Sequence, residues 1–123
     1  MILLLAVSAA AAIGAPARYL LDKAIAGHRA GILPLGTMTI NITGAFVLGL
    51  LVGLSLHQGL PKPVVTVAGT GFCGAYTTFS TFSYETMRLV EDGSIAEATW
   101  NVAASLVLGL LAAAAGLALA LAV

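Results

Sequence analysis

Four stretches of this chain carry no Asp, Glu, Lys or Arg: residues 1–17, 30–56, 63–84 and 98–123. A helix needs about 20 apolar residues to cross the hydrocarbon core of a bilayer. Three of the runs meet that length alone, and the first meets it once Arg18 to Leu21 are added. Only 8% of the 123 residues are charged, against about a quarter in a water-soluble domain, and the mean hydropathy is +1.07. The expected fold is therefore an all-α membrane protein, one domain over residues 1–123 with four transmembrane helices joined by short connections. The expected helices are 2–22, 32–56, 63–90 and 95–122, with a break at 74–77 in the third.

Several function classes drop out early. A net charge of zero argues against a nucleic-acid partner. The single cysteine, Cys73, excludes an internal disulfide and reads as a small apolar packing group. The two histidines, His28 and His57, fall in expected loops beside no nucleophile, and the acids lie mostly at span ends, so no catalytic constellation forms and no enzyme is expected. MILLLAVSAAAA resembles a secretory signal but lacks a basic leader and runs into IGAPARYLL without a polar break, so it is expected to stay as the first helix.

With four spans, the 22–31 and 88–94 connections share one side and carry Lys23, Arg29 and Arg88. The other side carries only Lys62. Three cations against one is a small bias on the positive-inside rule, small enough to leave both orientations open. Gly49 and Gly53 form a small-xxx-small element with Gly44 nearby. Such spacing draws helices close in lipid, and it suits either packing within the chain or a subunit interface.

Polar side chains inside a span are costly, so each is a functional candidate. Asn41 follows Thr37 by four residues and precedes Gly44 and Ala45, which puts a hydroxyl, an amide and small residues on one helical face. An amide there suits an interhelical hydrogen bond or a chargeless greeting to an anion. Arg18 snorkels to the surface or lends positive potential to a vestibule. Tyr19 and Trp100 suit aromatic belts near the two surfaces.

The segment GTGFCGAYTTFSTFSYE, residues 69–85, is the oddest in the chain. Gly69, Gly71 and Gly74 with two threonines behind them make a poor continuous helix, since each glycine costs roughly 1 kcal/mol against alanine. A break near Gly74 to Thr77 would free carbonyls suited to a hard cation such as sodium. Phe79 and Phe82 share a face, as core packing or as ring edges presented to an anion, with hydroxyls at Thr78, Ser80 and Thr81 beside them.

Together, GAPARY, GTMTINITGAFVLG and GTGFCGAYTTFSTFSYE closely resemble the Fluc (CrcB) family of fluoride channels over most of the chain. The resemblance implies an antiparallel, dual-topology homodimer with two pores in a bacterial inner membrane, passing fluoride passively out of the cytoplasm. It implies a pathway through Thr37, Asn41, Phe79, Ser80, Thr81, Phe82, Glu85 and Ser105, with Asn41 as the pore amide and the two Phe rings contacting the ion. It also implies a structural sodium ion between subunits, held by the carbonyls of Gly74 and Thr77, and a vestibule or interface charge at Arg18. Where members often carry a fourth-helix tyrosine, this chain has Asn101, which leaves that position without an assigned role. Neutral donors suit fluoride because they replace its tight hydration without a deep trap.

The alternative is a small four-helix multidrug exporter. Proton-coupled export of cations needs an acid in the membrane, typically in the first helix, and residues 2–21 contain none.

Overall fold

The computed structural model describes residues 1–27 and 31–123; the readings placed on His28 and Arg29 lie outside the described residues. Every regular element among the described residues is helical. The first helix, α1, is Ile2–Ala26, and α2 is Leu35–His57. A third rod, α3, covers 62–76 as Lys62–Val65, a π-helical Thr66–Cys73 and Gly74–Tyr76. Beyond it, α4 is Phe79–Glu91 and α5 is Ile95–Ala122.

Of these, α1, α2 and α5 are long and apolar enough to cross a membrane. The third span, expected over 63–90 with a break, is two rods, α3 and α4. At about 1.5 Å per residue, α3 reaches only some 22 Å, short of a hydrocarbon core of about 30 Å.

The interruption falls at the C-terminal edge of the expected window of 74–77 and extends one residue past it. Gly74 is an ordinary helical residue, with φ −63° and ψ −35°, and the helix continues through Tyr76. The chain turns extended at Thr77 (φ −78°, ψ 163°) and Thr78 (φ −151°, ψ 124°). Glycine permits a break without requiring one. Here Gly71 serves close approach to α1, while Thr78 starts a new helix by accepting the Thr81 N–H on its own hydroxyl.

Other boundaries have local causes. Helix α1 runs four residues past the expected 22, so Asp22 and Lys23 lie within it. Helix α2 begins at Leu35 because Pro34 disfavours a helical conformation at Leu33 before it. His57 closes α2 rather than sitting in a loop. Helix α4 ends in a Schellman turn: Gly93, at φ +77°, donates to the Val90 carbonyl and Ser94 to that of Leu89.

Small residues hold the bundle together. Carbons added at Gly49 and Gly116 would land on the Ala113 and Phe46 carbonyl oxygens, so α2 and α5 meet backbone to backbone. Gly14 meets the Phe72 carbonyl, and Gly71 lies over Val7 and Ala10, which locks α1 to the π-helical stretch. Gly53 faces Leu117 and Ala120, and Gly44 faces the Thr77 methyl group. Of the two readings left open for Gly44, Gly49 and Gly53, packing within the chain is therefore the one the structure displays. Large apolar side chains such as Leu106, Leu110 and Leu111 stay exposed, as lipid-facing residues do.

Candidate functional site

The break is built by a single side chain on α2. Asn41 Nδ2 donates to the Thr78 carbonyl at 2.9 Å, and the Thr78 N–H donates to Asn41 Oδ1 at 2.8 Å. The amide thus pairs with the exposed backbone as a neighbouring strand would, which is how irregular backbone survives at membrane depth. One amide N–H remains after this pairing. Three residues further along the same face, Gly44 lets Thr77 approach. On another face Thr43 Oγ1 lies 2.9 Å from the Tyr76 hydroxyl, a second tie to the break.

Withdrawing the Thr78 N–H changes the Gly74 carbonyl. In an unbroken helix that carbonyl accepts from the N–H four residues on, which is the group Asn41 has taken. The extended ψ at Thr77 also turns its carbonyl off the helix axis.

Next to the break, hydroxyls and one cation meet at a cavity of about 210 Å³ lined by Arg18, Tyr19, Asp22, Thr37, Thr78 and Thr81 among others. Thr78 Oγ1 donates to Thr81 Oγ1 at 2.9 Å and lies 3.3 Å from Ser80 Oγ. Thr37 is buried at the wall of this cavity. Glu85 Oε2 is buried and finds no partner among the described residues. Glu85 also faces a larger cavity of about 720 Å³ at the same end, together with Asp22 and Glu97. Acidic side chains repel anions, while Arg18 adds a positive charge to the wall of the smaller cavity.

Phe79 and Phe82 form a tilted pair, ring centroids 6.0 Å apart and planes at 39°. Phe79 is 80% exposed, so it points out of its own chain. Ser105 lies apart on α5, its Oγ buried and unpartnered among the described residues. Tyr19 and Trp100 are both exposed. They lie at one end of the bundle, where residues of α1 and the start of α5 line the same cavity, and not at the two surfaces expected.

Sequence reasoning missed two groups here. The first is the Thr78 backbone, whose signal was the Thr-Thr pair heading the polar-apolar run FSTFSYETM, a helix-start pattern. The second is Thr86, which bonds both to the Phe82 carbonyl and to Asn101. No spacing rule flags a threonine in mid-helix.

An all-helical chain with three membrane-crossing helices and a clamped break among hydroxyls defines a multi-pass membrane protein of the transport class. A family model described as CrcB-like protein, Camphor Resistance (CrcB), matches residues 5–117. The chain belongs to this CrcB family. It is 48% identical over 124 residues to the fluoride-specific ion channel FluC 1 of Frankia casuarinae, covering 97% of this chain and 96% of that protein. It is 51% identical over 104 residues to FluC 2 of Mycobacterium tuberculosis, covering 85% and 79%. With FluC 1 of Nocardia farcinica the identity is 55% over 93 residues, 76% of this chain but only 63% of that relative's length. These relatives are named as ion channels, not as enzymes or drug exporters.

Proposed function

We propose that the chain forms a passive, fluoride-selective channel that lets cytoplasmic fluoride leave a bacterial cell down its electrochemical gradient. In this reading α3 and α4 together make one membrane pass across the break, giving four passes. Two oppositely inserted copies assemble as an antiparallel homodimer with two pores.

The observation that carries the reading is the break itself: an extended turn held by an amide and surrounded by hydroxyls. Fluoride sheds its water only where several modest donors replace it, and Ser80, Thr81 and the spare Asn41 N–H are neutral donors. Thr37 and Arg18 border the same cavity, and Glu85 stands toward its mouth. The outward-facing Phe79 and the isolated Ser105 are understandable if a second copy completes each path. The names carried by the relatives support fluoride as the ion.

The Gly74 and Thr77 carbonyls suit a structural sodium ion at the dimer centre. Both are released from ordinary helical pairing, and hard carbonyl oxygens suit a hard cation. Replacing sodium with a large organic cation is expected to shift the purified protein toward monomer in sedimentation. An unchanged monomer–dimer balance would remove the ion from this account.

Liposomes loaded with fluoride and containing the purified protein are expected to empty rapidly, while chloride-loaded ones do not. Retention of fluoride by a folded, dimeric preparation would end the channel reading. Phe79→Ile and Phe82→Ile are each expected to slow efflux about 100-fold, equivalent to about 2.7 kcal/mol of barrier, with assembly intact. Wild-type rates in both would return the rings to simple packing.

A further inference from the structure

The proposed path leaves Asn101 without a task, although it is the most deeply buried polar residue among the described residues. It is fully buried on α5. Its Nδ2 donates to Thr86 Oγ1 at 2.9 Å. Thr86 Oγ1 donates in turn to the Phe82 carbonyl at 2.7 Å.

The order of donors follows from the proton count. A threonine hydroxyl has one proton, and the short contact to the Phe82 carbonyl uses it. Only a lone pair is then left for Asn101, so the amide must present nitrogen to Thr86 and turn Oδ1 away. Oδ1 is accordingly the amide atom that finds no partner among the described residues. Reversing the amide would need a second hydroxyl proton that Thr86 lacks.

We propose that Asn101 is a positioning residue for the ring of Phe82, acting through Thr86. This rests on the channel reading above. The chain of two hydrogen bonds ties α5 to the backbone carbonyl of the residue whose ring is placed on the ion path. A threonine that bonds back to the carbonyl four residues earlier also tends to bend its helix. Asn101 fixes that hydroxyl in place, and so fixes the local course of α4 one turn from the break. A tyrosine at position 101 would have to reach Thr86 with a different shape and a single hydroxyl, so the amide here is matched to Thr86.

Fluoride efflux from liposomes tests this with Thr86→Val, Thr86→Ser, Asn101→Leu and the Thr86→Val/Asn101→Leu double variant. Thr86→Val is expected to cut the efflux rate about tenfold, a barrier change of about 1.4 kcal/mol. Thr86→Ser, which keeps the hydroxyl, is expected to restore the rate to within about twofold of wild type. Asn101→Leu should match Thr86→Val, and the double variant should be no slower than either, because groups acting in series are not additive.

Wild-type efflux in Thr86→Val, or losses that multiply in the double variant, would overturn the proposal. If Thr86→Val does not fold, Asn101→Leu carries the test, since it leaves the Thr86 bond to Phe82 intact. Failure of both to fold would also count against it, because the role would then be structural. A wild type that passes no fluoride would defeat the channel reading and this inference with it. A conducting wild type with an unaffected Thr86→Val defeats this inference alone.

Discussion

Asn41→Ala is expected to abolish measurable fluoride efflux and to lower thermal stability sharply. The substitution removes both hydrogen bonds that hold Thr78, at 2.9 and 2.8 Å. It leaves one backbone N–H and one carbonyl without partners, at about 1–3 kcal/mol each. The chain has one escape: the Thr78 N–H can return to the Gly74 carbonyl and heal the helix across the break. Healing would recover stability and destroy the path, so flux is the more sensitive readout. Asn41→Asp separates the two bonds, since it keeps the acceptor for the Thr78 N–H and loses the donor to the carbonyl. It should melt between wild type and Asn41→Ala, and it should also pass no fluoride, because a carboxylate at that point repels the ion. Efflux and melting of the two variants check this together. Wild-type efflux in Asn41→Ala would show that the clamp has nothing to do with transport.

Much of this arrangement is legible from residue order. Charge-free runs of membrane length dictate the long helices, because an uncharged stretch of about 20 residues has few other stable settings. The face shared by Thr37, Asn41 and Gly44 is legible too, since helical geometry alone brings those positions together. All three do face the break region: Thr37 borders its cavity, Asn41 clamps Thr78, and Gly44 admits Thr77.

What was not legible has a common cause. Glycine is compatible with a helix, a π-turn or a break, so Gly69, Gly71 and Gly74 fix none of these by themselves. Their role depends on what approaches them, which for Gly71 is α1. The position of the break likewise depends on a hydrogen bond between residues 37 apart in sequence. Asn101 shows the same dependence: its amide has meaning only beside Thr86, 15 residues earlier on another helix. Local pattern names the helices, while partner identity, which decides the site, arises from packing.

Gly49→Val and Gly116→Val are expected to be the most damaging packing changes in the chain. A carbon added at Gly49 falls on the Ala113 carbonyl oxygen, and one at Gly116 falls on the Phe46 carbonyl oxygen and 2.8 Å from the Leu50 nitrogen. Neither neighbour is a flexible side-chain end that can swing aside. The two helices must therefore separate, and in lipid their association depends on that close approach because no hydrophobic force draws them together. Overpacking in a tight interior typically costs about 1–3 kcal/mol; a backbone obstacle should place each valine at or above the top of that range. Gly109→Ala is the control on the same helix as Gly116, since a carbon there meets nothing within 4 Å in its own chain. Alanine also favours helix over glycine by about 1 kcal/mol. Melting in detergent should therefore fall steeply for both valine variants and hold or rise for Gly109→Ala. Valine variants that melt like wild type would mean that α2 and α5 do not meet through these glycines. A Gly109→Ala variant that folds but no longer dimerises would instead place that face of α5 against the second copy.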